Sequence, residues 1–139
     1  MTPMGSLFDY VKRLVAWSSM LGIGVLSLLP AAEISPLRTG IGGHFEHLLA
    51  YAATTLVVTT AYLDQNRIKI AVSLILYAAA LEYLQRFAPG RGSSLLDFTF
   101  SAAGVVIALA ALSALRHLWD RRAEGRDTPH PIADPTSSS

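Results

Sequence analysis

The sequence predicts an all-α protein, a four-transmembrane-helix bundle with both termini in the cytoplasm, and three observations lead there. Hydrophobic residues make up 52% of the chain and charged residues only 15%, against roughly 25% charged in an average soluble protein. The apolar residues gather into four runs, 14–30 (LVAWSSMLGIGVLSLLP), 48–63 (LLAYAATTLVVTTAYL), 70–81 (IAVSLILYAAAL) and 98–115 (FTFSAAGVVIALAALSAL). None of the four carries the polar stripe at helical spacing that a soluble four-helix bundle needs.

The totals also exclude several kinds of chemistry. At 139 residues the chain has room for one domain. A net charge of +1 gives no basis for a nucleic-acid partner. With no cysteine there is no disulfide, thiolate metal site or cysteine nucleophile.

The first run follows Lys12 and Arg13 and ends in LPAAE, which raises the alternative of a cleaved signal peptide. Pro30 stands where a cleavage site wants a small residue, and the segment before the run is too long. A retained first helix is therefore expected, with Ser18 and Gly22 as a small-residue packing face. The second run opens with GHFEHLLAY, which sets His44, His47 and Tyr51 at i, i+3 and i+7 on one helix face and leaves Glu46 off it.

The third run is twelve residues long, and at 1.5 Å per residue it covers only about 18 Å. A crossing of roughly 30 Å requires residues from both ends. At one end Lys69 can reach back to the headgroups. At the other the helix must take in EYLQ, which sets Glu82 just inside the apolar boundary with Gln85 on the same face. APGRG then reads as a tight turn, with Pro89 and Gly90 suited to type II geometry. Ser94 and Asp97 have capping-box spacing ahead of the fourth helix. Within that helix Gly104 and Ala108 form a second small-residue face.

Orientation follows from the distribution of cations. Lys12, Arg13, Arg67, Lys69, Arg116, Arg121, Arg122 and Arg126 fall on the side of the termini, and only Arg38, Arg86 and Arg91 on the other. The positive-inside rule puts the eight in the cytoplasm and turns the polar hairpin EYLQRFAPGRGSSLLD (residues 82–97) outward. Residues 123–139, rich in Pro, Ser and Asp, are expected to be a disordered cytoplasmic tail.

That hairpin and the start of the second helix hold the candidate site. Glu82, His47 and Asp97 are the candidate acid–base residues, and His44, Tyr51, Gln85, Arg86 and Arg91 the candidate ligand-binding residues. A structural reading competes for each: Glu82 paired with Arg86 or Arg91 to close the top of the bundle, and Asp97 as a helix cap. The histidine spacing is not a recognised metal signature, so no metal and no cofactor are expected.

Taken together, GHFEHLLAYA and ALEYLQRFAPGRGSSLLDFTFSAAG resemble the VanZ-like family of small bacterial membrane proteins over residues 8–118. The matching positions are His47, Tyr51, Glu82, Gln85, Pro89, Arg91, Asp97 and Gly104. The chain departs from the family pattern at Gly43 and His44, where an acid–lysine pair stands, and at Ser101, where an asparagine stands. The resemblance implies a four-helix protein of the bacterial cytoplasmic membrane with an outward-facing polar cluster. The family takes its name from an accessory protein linked to teicoplanin resistance.

The residues fit a ligand with an apolar tail in the bilayer and a polar head outside it. A membrane lipid, a lipid-linked envelope precursor and a lipoglycopeptide all have that form. Binding or modification of such a molecule is the leading expectation. A membrane enzyme using Glu82, His47 and Asp97 is the alternative, and a small transporter ranks lower because no second acid lies deep in the other helices.

Overall fold

The computed structural model describes residues 3–34 and 42–124, and these are mostly helical, with no strand among them. Helix α1 covers Pro3–Leu28, a short α2 covers Ala31–Ile34, α3 covers Gly43–Ala61, α4 covers Arg67–Leu84 and α5 covers Leu95–Glu124. The long helices fall on the four apolar runs; all four begin before their runs, and α4 and α5 also continue beyond them. The short helix in the first connection has no periodic signal in the sequence.

Local chemistry explains where the helices start and stop. α1 ends two residues before Pro30, consistent with the proline's bias against α geometry in the residue before it. α3 begins after Gly42, whose φ of 108° suits a residue without a Cβ. α4 starts at Asn66, whose side-chain oxygen accepts from the Ile68 amide at 2.8 Å. At its far end α4 tightens into a 3-10 turn over Gln85–Phe87. A turn follows in which the Arg91 amide donates to the Ala88 carbonyl at 3.1 Å and Gly90 has φ 72°. This is the type II arrangement that Pro89 and Gly90 announce.

Among the described residues three helices are long and apolar enough to cross a membrane: Leu7–Leu28, Arg67–Phe87 and Leu95–Ala123. The α4 span does take EYLQ into the helix, as its short apolar run requires. α3 has the length but contains two histidines and four threonines. It packs against α1, α4 and α5, and Tyr51, Thr54, Thr55, Val58 and Thr59 face these neighbours. Its Thr55 hydroxyl donates to the Tyr51 carbonyl at 2.6 Å, which satisfies it without a partner helix.

The distribution of side-chain size is the reverse of a soluble bundle. Small residues are prominent in the interior, Ala16, Ala78, Ser101, Val105 and Ala108 beside Tyr51, Ile70, Leu74 and Leu81. Leu7, Trp17, Leu21, Leu76, Ile107 and Leu118 point outward, each more than half exposed. Such a surface is stable against lipid and not against water, so the chain is a membrane protein.

The most extensively packed helix pair is α3 with α5, which run parallel, His44 meeting Asp97 and Leu48 meeting Gly104. A Cβ on Gly104 would collide with the Leu48 carbonyl oxygen and approach the Ala52 amide nitrogen to 3.1 Å. The Gly104–Ala108 face therefore packs as its sequence suggests. The Ser18–Gly22 face does not. Ser18 is exposed, and nothing lies within 4 Å of a Cβ built on Gly22. The close approach on α1 is at Gly24 instead, against the Tyr77 hydroxyl, which donates to the Met20 carbonyl at 2.7 Å.

α5 continues as a regular helix to Glu124, so the first two residues of the expected tail are helical. The rest of that tail lies outside the described residues, as does Arg38 in the first connection.

Candidate functional site

One end of the bundle gathers the end of α1, the start of α3, the turn after α4 and the start of α5. Between them lies a cavity of about 340 Å³. Its polar lining includes His47, Tyr51, Gln85, Arg91 and Asp97, five of the eight residues singled out from the sequence. Ile23 and Leu26 of α1 and Ala50 of α3 supply an apolar wall.

The start of α5 organises this end. Ser94 is its N-cap, with the side-chain oxygen accepting from the Asp97 amide at 3.2 Å. In a reciprocal capping box the acid at Asp97 would return a bond to the Ser94 amide. Here the Glu82 carboxylate, arriving from α4, accepts from the Ser94 amide in its place. Asp97 is left to face α3, where the His44 Nδ1 lies 2.5 Å from its Oδ1 and the His47 Nε2 lies 3.9 Å from its Oδ2.

Other bonds fix the floor and one side. Ser101 donates to the Asp97 carbonyl at 2.9 Å, and its oxygen lies 3.4 Å from the His47 Nδ1. Arg91 donates through Nη1 to the Ser27 carbonyl at 2.9 Å, tying the turn to the end of α1. That bond also meets one of the carbonyls that every helix leaves without an internal partner at its C-terminus. Tyr51 and Gln85 are each 3% exposed, so their polar groups reach only the cavity and its surroundings.

Three of the sequence candidates are placed differently. Glu82 is buried but does not line the cavity; it stands behind the wall, bonded to the Ser94 amide. No ion pair between it and Arg86 or Arg91 is formed among the described residues. Arg86 turns away, its guanidinium 5.2 Å from the centre of the Tyr83 ring. His44 is exposed at the rim and reaches the site only through Asp97. Glu46, which helix periodicity sets off the histidine face, lines the cavity after all. Gly43, one turn earlier, has no side chain to fill the space beside it.

The wall residues Ile23, Leu26 and Ser27 had no signal in the sequence, since the first apolar run gives no clue to which turn meets α3. No group of three or more His, Asp or Glu side chains suited to a metal ion occurs among the described residues.

The Ser101–His47–Asp97 contacts have the order of a nucleophile, base and orienting acid but not the geometry. Ser101 is 2% exposed and gives its proton to a backbone carbonyl. The 3.9 Å between His47 and Asp97 is beyond hydrogen-bond length. What the cavity offers is a set of binding groups of both signs. Arg91 and the side-chain amide of Gln85 are donors, Glu46 and Asp97 acceptors, and Tyr51 and His47 either. Comparisons of the chain with protein-family models, curated proteins and solved structures give no match.

Proposed function

We propose that the chain is a four-span protein of a bacterial cytoplasmic membrane, both termini inside, whose outer cavity holds the polar head of an amphiphile. The head belongs to a membrane lipid, a lipid-linked envelope precursor or a lipoglycopeptide. The single observation that carries this reading is the convergence of His47, Tyr51, Gln85, Arg91 and Asp97 on one cavity with an apolar wall from α1. Donors and acceptors for a head lie beside a surface for the first carbons of a tail.

Two further points support it. α3 is 19 residues long, about 28 Å at 1.5 Å per residue, which matches the hydrocarbon thickness. The five lining residues are also positions at which the chain resembles the VanZ-like pattern, and a role like that in teicoplanin resistance follows from resemblance alone. Arg91 serves as the anchor for phosphate or carboxylate, and Asp97, held by its histidines, as the acceptor for hydroxyl or ammonium groups.

The enzyme reading is the weaker one. It retains an imidazole beside a carboxylate at His47 and Asp97, but Glu82 is turned to the Ser94 amide and Ser101 is buried. A transporter would need its ionisable groups near mid-membrane, whereas these sit at one end.

Native mass spectrometry of the purified chain tests the proposal. The wild type is expected to carry a discrete lipid or glycolipid that an Arg91→Ala, Tyr51→Phe variant loses while remaining folded. Identical bulk phospholipid on both would leave the cavity with no ligand role.

A further inference from the structure

A second cavity, of about 270 Å³, lies at the opposite end of the bundle, where α1, α3 and α4 meet. Met20, Val58, Ile70 and Leu74 form its walls. Trp17, Tyr62, Gln65, Lys69 and Ser73 are its polar and aromatic lining. Unlike the first cavity, it has no carboxylate in its lining.

The one charged residue in its lining is a cation, Lys69. Lys69 forms no ion pair among the described residues and is exposed at the mouth. It is the third residue of α4, so the positive end of that helix's dipole adds to its charge. Arg13 stacks on Tyr62, its guanidinium 5.5 Å from the ring centre, and the Trp17 indole donates to the Tyr62 hydroxyl at 3.0 Å. Asp64 is close in sequence, but its carboxylate meets the Gln65 side chain at 3.4 Å and does not line the cavity.

Position narrows the ligand. The cavity sits between the spans Leu7–Leu28 and Arg67–Phe87, at the end where α4 begins. A mouth there meets the headgroup layer, which is where tryptophan, tyrosine and lysine gather in membrane proteins. An apolar slot that runs inward from a cation at that depth matches a phosphate diester joined to an acyl chain.

We propose that this cavity binds one anionic phospholipid, its phosphate at Lys69 and an acyl chain along the Met20–Leu74 wall. The proposal is independent of any ligand in the first cavity. It requires only that α1 and α4 lie in a membrane. A soluble phosphate would use Lys69 but leave the apolar wall uncovered, so the bilayer lipid is the occupant.

Trp17 lines the cavity and becomes the one tryptophan once Trp119, near the C-terminal end of α5, is replaced. In a Trp119→Phe background, the chain is reconstituted with phosphatidylglycerol or phosphatidylcholine carrying bromine on the acyl chains. Half-maximal quenching of Trp17 is expected at about a fivefold lower mole fraction of the anionic lipid, the preference that one lysine near the surface supplies. Lys69→Gln should bring the two curves together, and Lys69→Arg should keep them apart. Ser73→Leu, which leaves the charge and fills the slot, should also abolish the preference. Coincident curves in the parent, or a separation that survives Lys69→Gln, would overturn the site. So would loss of the separation on adding soluble glycerol phosphate, since a free phosphate would then be enough.

Discussion

Glu82 is the residue on which a structural and a functional role can be separated most cleanly. It is 7% exposed, absent from the cavity lining, and the acceptor for the Ser94 amide at the start of α5. Glu82→Ala would leave that amide without an acceptor, at a cost of about 1–3 kcal/mol. The shortened side chain leaves a void that adds about 1 kcal/mol. The total is about 2–4 kcal/mol. Glu82→Gln keeps the shape and a carbonyl oxygen in the same place, so its cost should stay within about 1 kcal/mol. The gap between the two variants, about 2 kcal/mol, is near thirtyfold in the ratio of folded to unfolded chain. Reversible unfolding in mixed micelles, followed by circular dichroism, reads that gap directly. The same preparations, carried to native mass spectrometry, read the ligand. Glu82→Gln should unfold near the wild type and keep the co-purifying species. A Glu82→Gln protein that is folded but has lost that species would refute the structural assignment and return Glu82 to the site. Equal destabilisation by Gln and Ala would refute the amide bond as its role.

The packing contrast between glycines gives a second test. Gly104→Ala should destabilise the fold by about 1–3 kcal/mol or more, because its Cβ meets backbone that cannot yield. Gly22→Ala, with nothing within 4 Å of the new methyl, should be neutral or slightly stabilising in the same unfolding assay. Ser94→Ala removes the cap on Asp97 and should cost about 1 kcal/mol, while the backbone bond to Glu82 is kept. Topology is open to direct labelling, since the chain has no cysteine. A cysteine at Ser93 should react with an impermeant maleimide in intact cells, and one at Asp64 only after lysis. The reverse pattern would invert the orientation, and reaction of both in intact cells would rule out a crossing by α4.

What the sequence made legible depended on how local the cause was. The extension of α4 through EYLQ follows from the thickness of a bilayer. The turn at Pro89 and Gly90 and the cap at Ser94 follow from backbone chemistry within four residues. The α3–α5 contact was legible on one side only, through Gly104 and Ala108. On α1 the small-residue reading fell on Ser18 and Gly22, whereas the close approach is at Gly24. Gly22 and Gly24 lie about 200° apart around a helix, and only the Tyr77 hydroxyl decides between them. The placement of Arg86 over Tyr83 has a similar origin. Four residues after Glu82, it would share a face with the acid in a continued α-helix. The chain tightens to 3-10 geometry over Gln85–Phe87, where side chains three apart align, and Arg86 falls over Tyr83. Which acid would meet the Ser94 amide was not legible at all, because it joins residues on opposite sides of a turn.

That bond also explains how one short segment serves both as a helix cap and as a border of the cavity. An N-terminal acid such as Asp97 is ordinarily consumed by its own helix, where it satisfies the amides of the first turn. Glu82 relieves it of the Ser94 amide, and the Ser94 hydroxyl takes the Asp97 amide. The Asp97 side chain is then available to His44 across the gap between α5 and α3, and it borders the cavity. The arrangement makes Glu82 necessary to the site without touching it. Its removal takes away the one side-chain bond that ties α4 to the Ser94 amide, three residues before Asp97. A loss of function in Glu82→Ala is therefore no evidence of catalysis by Glu82. Only the behaviour of Glu82→Gln distinguishes a residue that acts on a ligand from one that holds the wall in place.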